Sequence, residues 1–396
     1  MNASRGTRVP RRVLPVIVLS QFAGTSLWFA VNAVMPDLQA AWGLPAAAVG
    51  TLTSAVQLGF VAGTLVFALL MLADRFVPSR VFLACSLGGA ALNAAIVVLQ
   101  GEFALLLASR FGVGFLLAGI YPVGMKIAAS WYREGLGAAL GVLIGALVLG
   151  TALPHGLRAL DIGGGDWQAV VLVVSALAAL GGVATALFVP ESPHQVRATR
   201  ISPRALGLIW TDRPVRASVF GYFGHMGELY AFIVLVPAIL ATRYATAAQI
   251  SAGAFFAIAA GAVGCAGGGI FVKRFGSARV AQWQLAASGT CCLLAPAMLR
   301  APDAVFIAWL LVWGATVAGD SPQFSALTAR NAPPQWVGSV LTFSNCIGFA
   351  ISVVSIEVFV RAAVAWPLAW VLPWLAIGPM IGLWMMRPLV QEEKKR

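Results

Sequence analysis

Twelve runs of mostly apolar residues, each about long enough to cross a bilayer, occupy nearly the whole chain. They fall near 13–36, 46–70, 81–100, 103–130, 136–157, 168–189, 215–241, 248–272, 279–299, 304–328, 336–360 and 366–386. Hydrocarbon about 30 Å thick needs about 20 apolar residues per helical crossing, because backbone N–H and C=O groups in lipid must be satisfied within the segment. Of the 396 residues, 60% are apolar and only 10% charged, and mean hydropathy is +0.88, whereas a soluble domain carries roughly a quarter charged residues. The expectation is an all-α membrane protein of twelve transmembrane helices with no room for an extra soluble domain. Arg5 to Arg12 precede the first run, but that run is long enough to span and no small-x-small site follows it, so it reads as a helix and not a signal peptide.

The net charge of +12 does not indicate a nucleic-acid binder, because the basic residues are dispersed over short segments between apolar runs. They read instead as topology signals, since Lys and Arg favour cytoplasmic loops. With both ends inside, twenty basic residues fall on the inner segments, among them Arg5, Arg8, Arg75, Arg80, Arg133, Arg197, Arg200, Arg204, Lys273, Arg330, Lys394, Lys395 and Arg396; the outer segments hold Arg158, Arg243, Arg300 and Arg361 only. This predicts a multi-pass protein of a bacterial inner (plasma) membrane with both termini cytoplasmic. Cys85, Cys265, Cys291, Cys292 and Cys346 all lie inside apolar runs without Cys-x-x-Cys spacing, so no disulfide framework, metal site or cofactor is expected.

The two halves of the sequence repeat at an offset near 200. Ala118-Gly119-Ile120-Tyr121-Pro122 aligns with Ala318-Gly319-Asp320-Ser321-Pro322, Gly24 with Gly224, and Asp74-Arg75-Phe76 with Lys273-Arg274-Phe275 one residue closer. The basic, proline-punctuated stretch 190–214 separates them. The expected organisation is a six-helix bundle over 1–189, a cytoplasmic linker over 190–214 and a second six-helix bundle over 215–396.

Leu72-Ala73-Asp74-Arg75-Phe76 with Arg80 beyond it resembles the loop signature between the second and third helices of the major facilitator superfamily. Leu70 and Val77 replace the glycines of that signature, while the copy from Gly269 to Arg279 keeps both and has Lys273 in place of the acid. Arg110-x-x-x-Gly114 resembles the family's second signature. Gly141, Gly150 and Pro154 are similar in spacing to its antiporter signature, with Pro154-His155 where that motif has Gly-Pro, and Pro190-Glu191-Ser192-Pro193 looks like a common ending of the sixth helix. The resemblance implies the twelve-helix fold of two pseudo-symmetric halves, a non-enzymatic carrier acting as a monomer by alternating access, and a central cavity lined by the first, fourth, seventh and tenth helices. It also implies a conformational latch at Asp74, Arg75 and Arg80, where a charge pair breaks as the halves rock.

Polar residues inside the spans indicate where a solute would bind, since a charge at the bilayer centre costs roughly 2.5–3.5 kcal/mol and faces a cavity or a partner. Gln21, Thr25, Trp28 and Asn32 share one face of the first span; Gly221, His225, Glu228 and Phe232 share one face of the seventh; Thr316, Asp320 and Gln323 stack in the tenth. Candidate substrate-binding residues are therefore Gln21, Thr25, Trp28, Asn32, Arg110, Tyr121, His225, Asp320 and Gln323, with Glu228, ahead of Asp320, as the proton-coupling group. Interhelical hydrogen bonding is the competing role for Gln21 and Thr25, packing for Trp28, and holding Glu228 for His225, three residues away. Glu357 and Arg361 are spaced for a structural pair. Arg110 and Lys126 lie about 160° apart around an ideal helix, so only one can face a cavity without distortion. The expected position is Arg110 toward the cavity and Lys126 near the inner end, where it can snorkel.

These observations favour a secondary active transporter of a small organic solute, driven by protons: an organic acid, zwitterion or similar metabolite, or a cation if Arg110 is already paired. An uncoupled facilitator or a drug or metabolite efflux antiporter is the alternative. Substrate, protons and membrane lipid are the only partners implied. An intramembrane enzyme is disfavoured by three scattered histidines and the lack of H-E-x-x-H or G-x-S-x-G. A nitrate-type facilitator is disfavoured because the second and eighth spans carry no arginine at mid-span.

Overall fold

The computed structural model describes residues 9–99, 101–132, 136–193 and 201–395. Arg5, Arg8, Arg133, Arg197, Arg200 and Arg396 lie outside the described residues. Among the described residues the chain is helical throughout, with spans α1 (Val13–Ala33), α2 (Ala48–Leu69), α3 (Pro78–Val98), α4 (Phe103–Trp131), α5 (Leu136–Ala159), α6 (Trp167–Phe188), α7 (Arg213–Ala241), α8 (Ala247–Phe275), α9 (Ser277–Met298), α10 (Asp303–Asn331), α11 (Val337–Ala365) and α12 (Leu368–Glu393). Eleven of these are apolar enough to span by composition. The twelfth, α9, is diluted by Gln282, Gln284 and Ser288, but its 22 residues have the required length. Ser288 is fully buried and bonded inside the bundle, which is how a less apolar helix is tolerated.

An even number of crossings puts Val13 and Glu393 on the same side, the terminal side; the connections after α1, α3 and α5 lie on the far side. Within the first half α2 packs on α4, α3 on α6 and α4, and α1 on α5 and α6. In the second half the same pairs recur with six added: α8 on α10, α9 on α12 and α10, and α7 on α11 and α12. The halves meet along α5 with α8 and α2 with α11, contacts that interchange under the same operation. The repeat in the sequence is thus a repeat of packing. The short helix Arg204–Thr211, inside the stretch between the halves, lies on α7 and α11 through buried Ala205 and Ile209.

Close approach of α2 to α4 depends on Gly114, where a methyl group would overlap the Val56 carbonyl; Gly314 has the same relation to Ala257 on α8. Both α4 and α10 break at mid-span, before Tyr121 and Ser321, and resume with Pro122 and Pro322 in the first turn. Proline has no N–H, and the first turn of a helix is where that loss costs least, so Pro122 and Pro322 suit the restarts of the two helices. A third break occurs in α1, where Ser26–Phe29 tighten into a 3-10 turn.

Candidate functional site

A cavity of about 820 Å³, its open mouth included, lies between the halves at mid-span. Its walls come from α4 (Tyr121), α5 (Ile144, Thr151), α7 (Tyr222, Met226, Tyr230), α10 (Ser321, Ser325) and α11 (Asn345, Phe349), with Ile258 from α8. Toward the far side it ends at an aromatic cluster that crosses the interface. The Trp28 ring lies 4.9 Å from that of Phe60, 6.1 Å from Tyr230 and 5.7 Å from Phe349, and Phe60 lies 4.6 Å from Phe349. Beyond the cluster the halves remain in contact, with Gly50 against Val360 and Gly156 against Phe255. Toward the terminal side the wall residue Ser325 is exposed, so the mouth opens there.

Of the predicted binding residues only Tyr121 lines this cavity. The polar face of α1 points into its own bundle. Thr25 Oγ1 donates to the Gln21 carbonyl at 2.8 Å and abuts Gly150 of α5; Asn32 Nδ2 donates to Thr53 Oγ1 of α2 at 2.8 Å. Gln21 is fully buried against Gly124. Trp28 donates from Nε1 to Gln57 Oε1 at 3.1 Å and is fully buried, so it forms the ceiling behind Tyr230 and Phe349 rather than the wall.

Arg110 is corrected more sharply. It faces the first bundle's interior, 1% exposed, and donates to the carbonyls of Leu27 at 2.9 Å and Trp28 at 2.8 Å and to Asn93 Oδ1 at 3.1 Å. The 3-10 turn in α1 turns carbonyl oxygens away from the helix ladder, and Nη2 of the guanidinium satisfies two of them while Nη1 reaches Asn93. Lys126 does not face the cavity either. It pairs with Asp74 at 2.6 Å and donates to the Ala73 carbonyl at 2.7 Å, which joins the predicted latch acid to α4 of its own half. Arg75 and Arg80 are exposed beside it.

In the second half His225 does not hold Glu228. Its Nδ1 lies 2.7 Å from Asp320 Oδ1, both side chains being fully buried. Glu228 instead accepts from Trp313 Nε1 at 2.6 Å, Ser288 Oγ at 2.8 Å and Cys292 Sγ at 3.2 Å. It ties α7 to α9 and α10, as Arg110 ties α4 to α1 and α3. Asp320 stands at the break of α10, next to Ser321 of the cavity wall. Gln323 is buried between α10 and Gly268 of α8. The Glu357–Arg361 pair forms as predicted, at 3.0 Å.

The residues that the sequence reading missed are Tyr222, Met226 and Tyr230 on α7, Thr151, Ser325, Asn345 and Phe349. A signal existed: Tyr222, Met226 and Tyr230 are spaced i, i+4, i+8, one residue out of step with the His225 row and so rotated by about 100°.

A model of the Major Facilitator Superfamily matches residues 17–356. A comparison with curated proteins finds no match. Among solved structures the fold is similar to the crystal structure of a bacterial homologue of the human lysosomal transporter Spinster in an inward-facing, unoccupied conformation. The TM-score is 0.71 at 14% identity, over 99% of this chain and 97% of that one. With the family matched over most of its length, and two six-helix halves enclosing a cavity, this chain belongs to the Major Facilitator Superfamily and is a multi-pass membrane transporter.

Proposed function

We propose that the protein is a secondary active transporter that moves a small organic solute across a bacterial inner membrane by alternating access, coupled to protons. The observation that carries the reading is the cavity between the halves, closed toward the far side by the Trp28–Tyr230–Phe349 stack and open at Ser325. The twenty-to-four distribution of basic residues makes the terminal side cytoplasmic. The cavity is enclosed within one chain, which supports action as a monomer.

The coupling site we infer is the His225–Asp320 pair rather than Glu228. Glu228 is held by three donors inside one bundle, whereas Asp320 adjoins Ser321 and the His225 ring lies 5.9 Å from that of Tyr222, both wall residues. Solute in the cavity can therefore shift that pair by a rotation of α7 or α10. The test is proton flux in proteoliposomes carrying an internal pH dye, with a panel of solutes added under an imposed pH gradient. A solute-dependent proton flux that Asp320→Asn abolishes while solute exchange persists supports the reading. Solute flux indifferent to the gradient identifies an uncoupled facilitator, and loss of coupling in Glu228→Gln alone returns the role to Glu228.

A further inference from the structure

We propose that the solute is an uncharged, ring-bearing molecule, recognised by stacking and by hydroxyl and amide hydrogen bonds rather than by charge; this rests on the cavity being the transport site proposed above. The organic acid or zwitterion expected from the sequence assumed that embedded charges face the solute. In the structure each of those charges has another partner. Arg110 is taken by two carbonyls and Asn93, Glu228 by Trp313, Ser288 and Cys292, Asp320 by His225, and Lys126 by Asp74. Among the described residues, none that lines the cavity carries a formal charge. A charged solute would be stripped of water there without a counter-charge, which is strongly unfavourable.

The wall offers what a flat neutral molecule needs. Three of the chain's five tyrosines, Tyr121, Tyr222 and Tyr230, face the cavity together with Phe349. They come from α4 of one half and α7 and α11 of the other, so a bound ring touches both halves. Aromatic side chains supply large contact area with a polar tip, and Asn345, with both donor and acceptor, adds an orienting amide.

The experiment holds the ring constant and varies charge. Thermal unfolding of the purified full chain in detergent is measured with tryptophol (neutral), tryptamine (cation), indole-3-acetate (anion) and tryptophan (zwitterion), since a ligand bound to the folded state raises the melting temperature. Tryptophol should give a saturable rise of a few degrees, and the three charged indoles should give none. Phe349→Leu should weaken tryptophol roughly fivefold by removing one ring contact. Asn345→Asp, which puts a carboxylate on the wall, should create a response to tryptamine. The proposal is overturned if a charged indole stabilises the wild type as well as tryptophol does, if none of the four does, or if Asn345→Asp leaves the preference unchanged. Binding is read without a membrane, so tryptophol binding without tryptophol flux would refute the transport role and leave the neutral site standing.

Discussion

The guanidinium of Arg110 donates to the main-chain carbonyl of Trp28 at 2.8 Å, while the indole of the same Trp28 stacks across the interface on Tyr230 and Phe349. One buried cation thereby fixes the turn that aims the aromatic ceiling of the cavity. Arg110→Met leaves two buried carbonyls without their donor, at about 1–3 kcal/mol each. Arg110→Lys keeps the charge but lacks the planar fork that reaches the carbonyls and Asn93 together. Both variants should lower the melting temperature in detergent, Met more than Lys. A cysteine replacing Val360 should become reactive to an impermeant maleimide from the far side as the ceiling loosens. Unchanged labelling would confine Arg110 to holding its own bundle together.

Gly114 and Gly141 form a matched test of helix approach. A methyl group at Gly114 meets the backbone of α2, whereas among the described residues nothing lies within 4 Å of one at Gly141. Gly114→Ala should destabilise by about 1–3 kcal/mol, the usual cost of overpacking. Gly141→Ala should be neutral or gain up to about 1 kcal/mol from helix propensity. Equal effects in a denaturation series would refute the α2–α4 contact.

Asp74 pairs in this conformation with Lys126 of its own half. Asp74→Asn removes the anion that a latch across the two halves would need when that side closes. Spin-label distances between the terminal ends of α2 and α11 should shift toward the longer, open population. An unchanged distance distribution would leave Asp74 with a role in topology alone.

Asp37 lies past the far-side end of α1, 2.8 Å from Arg158. Partial burial raises its carboxyl pKa above the ordinary aspartate value, against the pull of the Arg158 charge. A folded-state pKa above the unfolded one means that the folded protein holds the proton more tightly. The contribution to stability is therefore full below the unfolded value and declines as pH rises through the folded one. Melting temperatures across the acidic range should fall with pH more steeply in the wild type than in Asp37→Asn. Parallel curves would show that Asp37 contributes nothing to the pH dependence.

The number of crossings, the doubling at an offset of 200 and the Glu357–Arg361 pair were all legible in the residues. Each follows from local demands: hydrocarbon sets the length of an apolar run, a duplicated sequence carries duplicated spans, and residues four apart on a helix meet without help. Which side chains face the cavity was decided only by the tertiary structure. His225 and Tyr222 sit three residues apart on one helix, yet one touches Asp320 inside the bundle and the other lines the cavity. That division depends on the rotation of α7 against α10 and α11, which periodicity does not specify. The partners of Arg110 exist only because α1 tightens at Ser26–Phe29 and bares its carbonyls. The acid missing at Lys273 is supplied by Glu393, which accepts from the backbone N–H groups of Ala278 and Arg279 and pairs with Arg330 at 3.2 Å. A carboxylate more than a hundred residues away can take that place because packing α12 on α9 brings the two helix ends together, and no local pattern encodes that proximity.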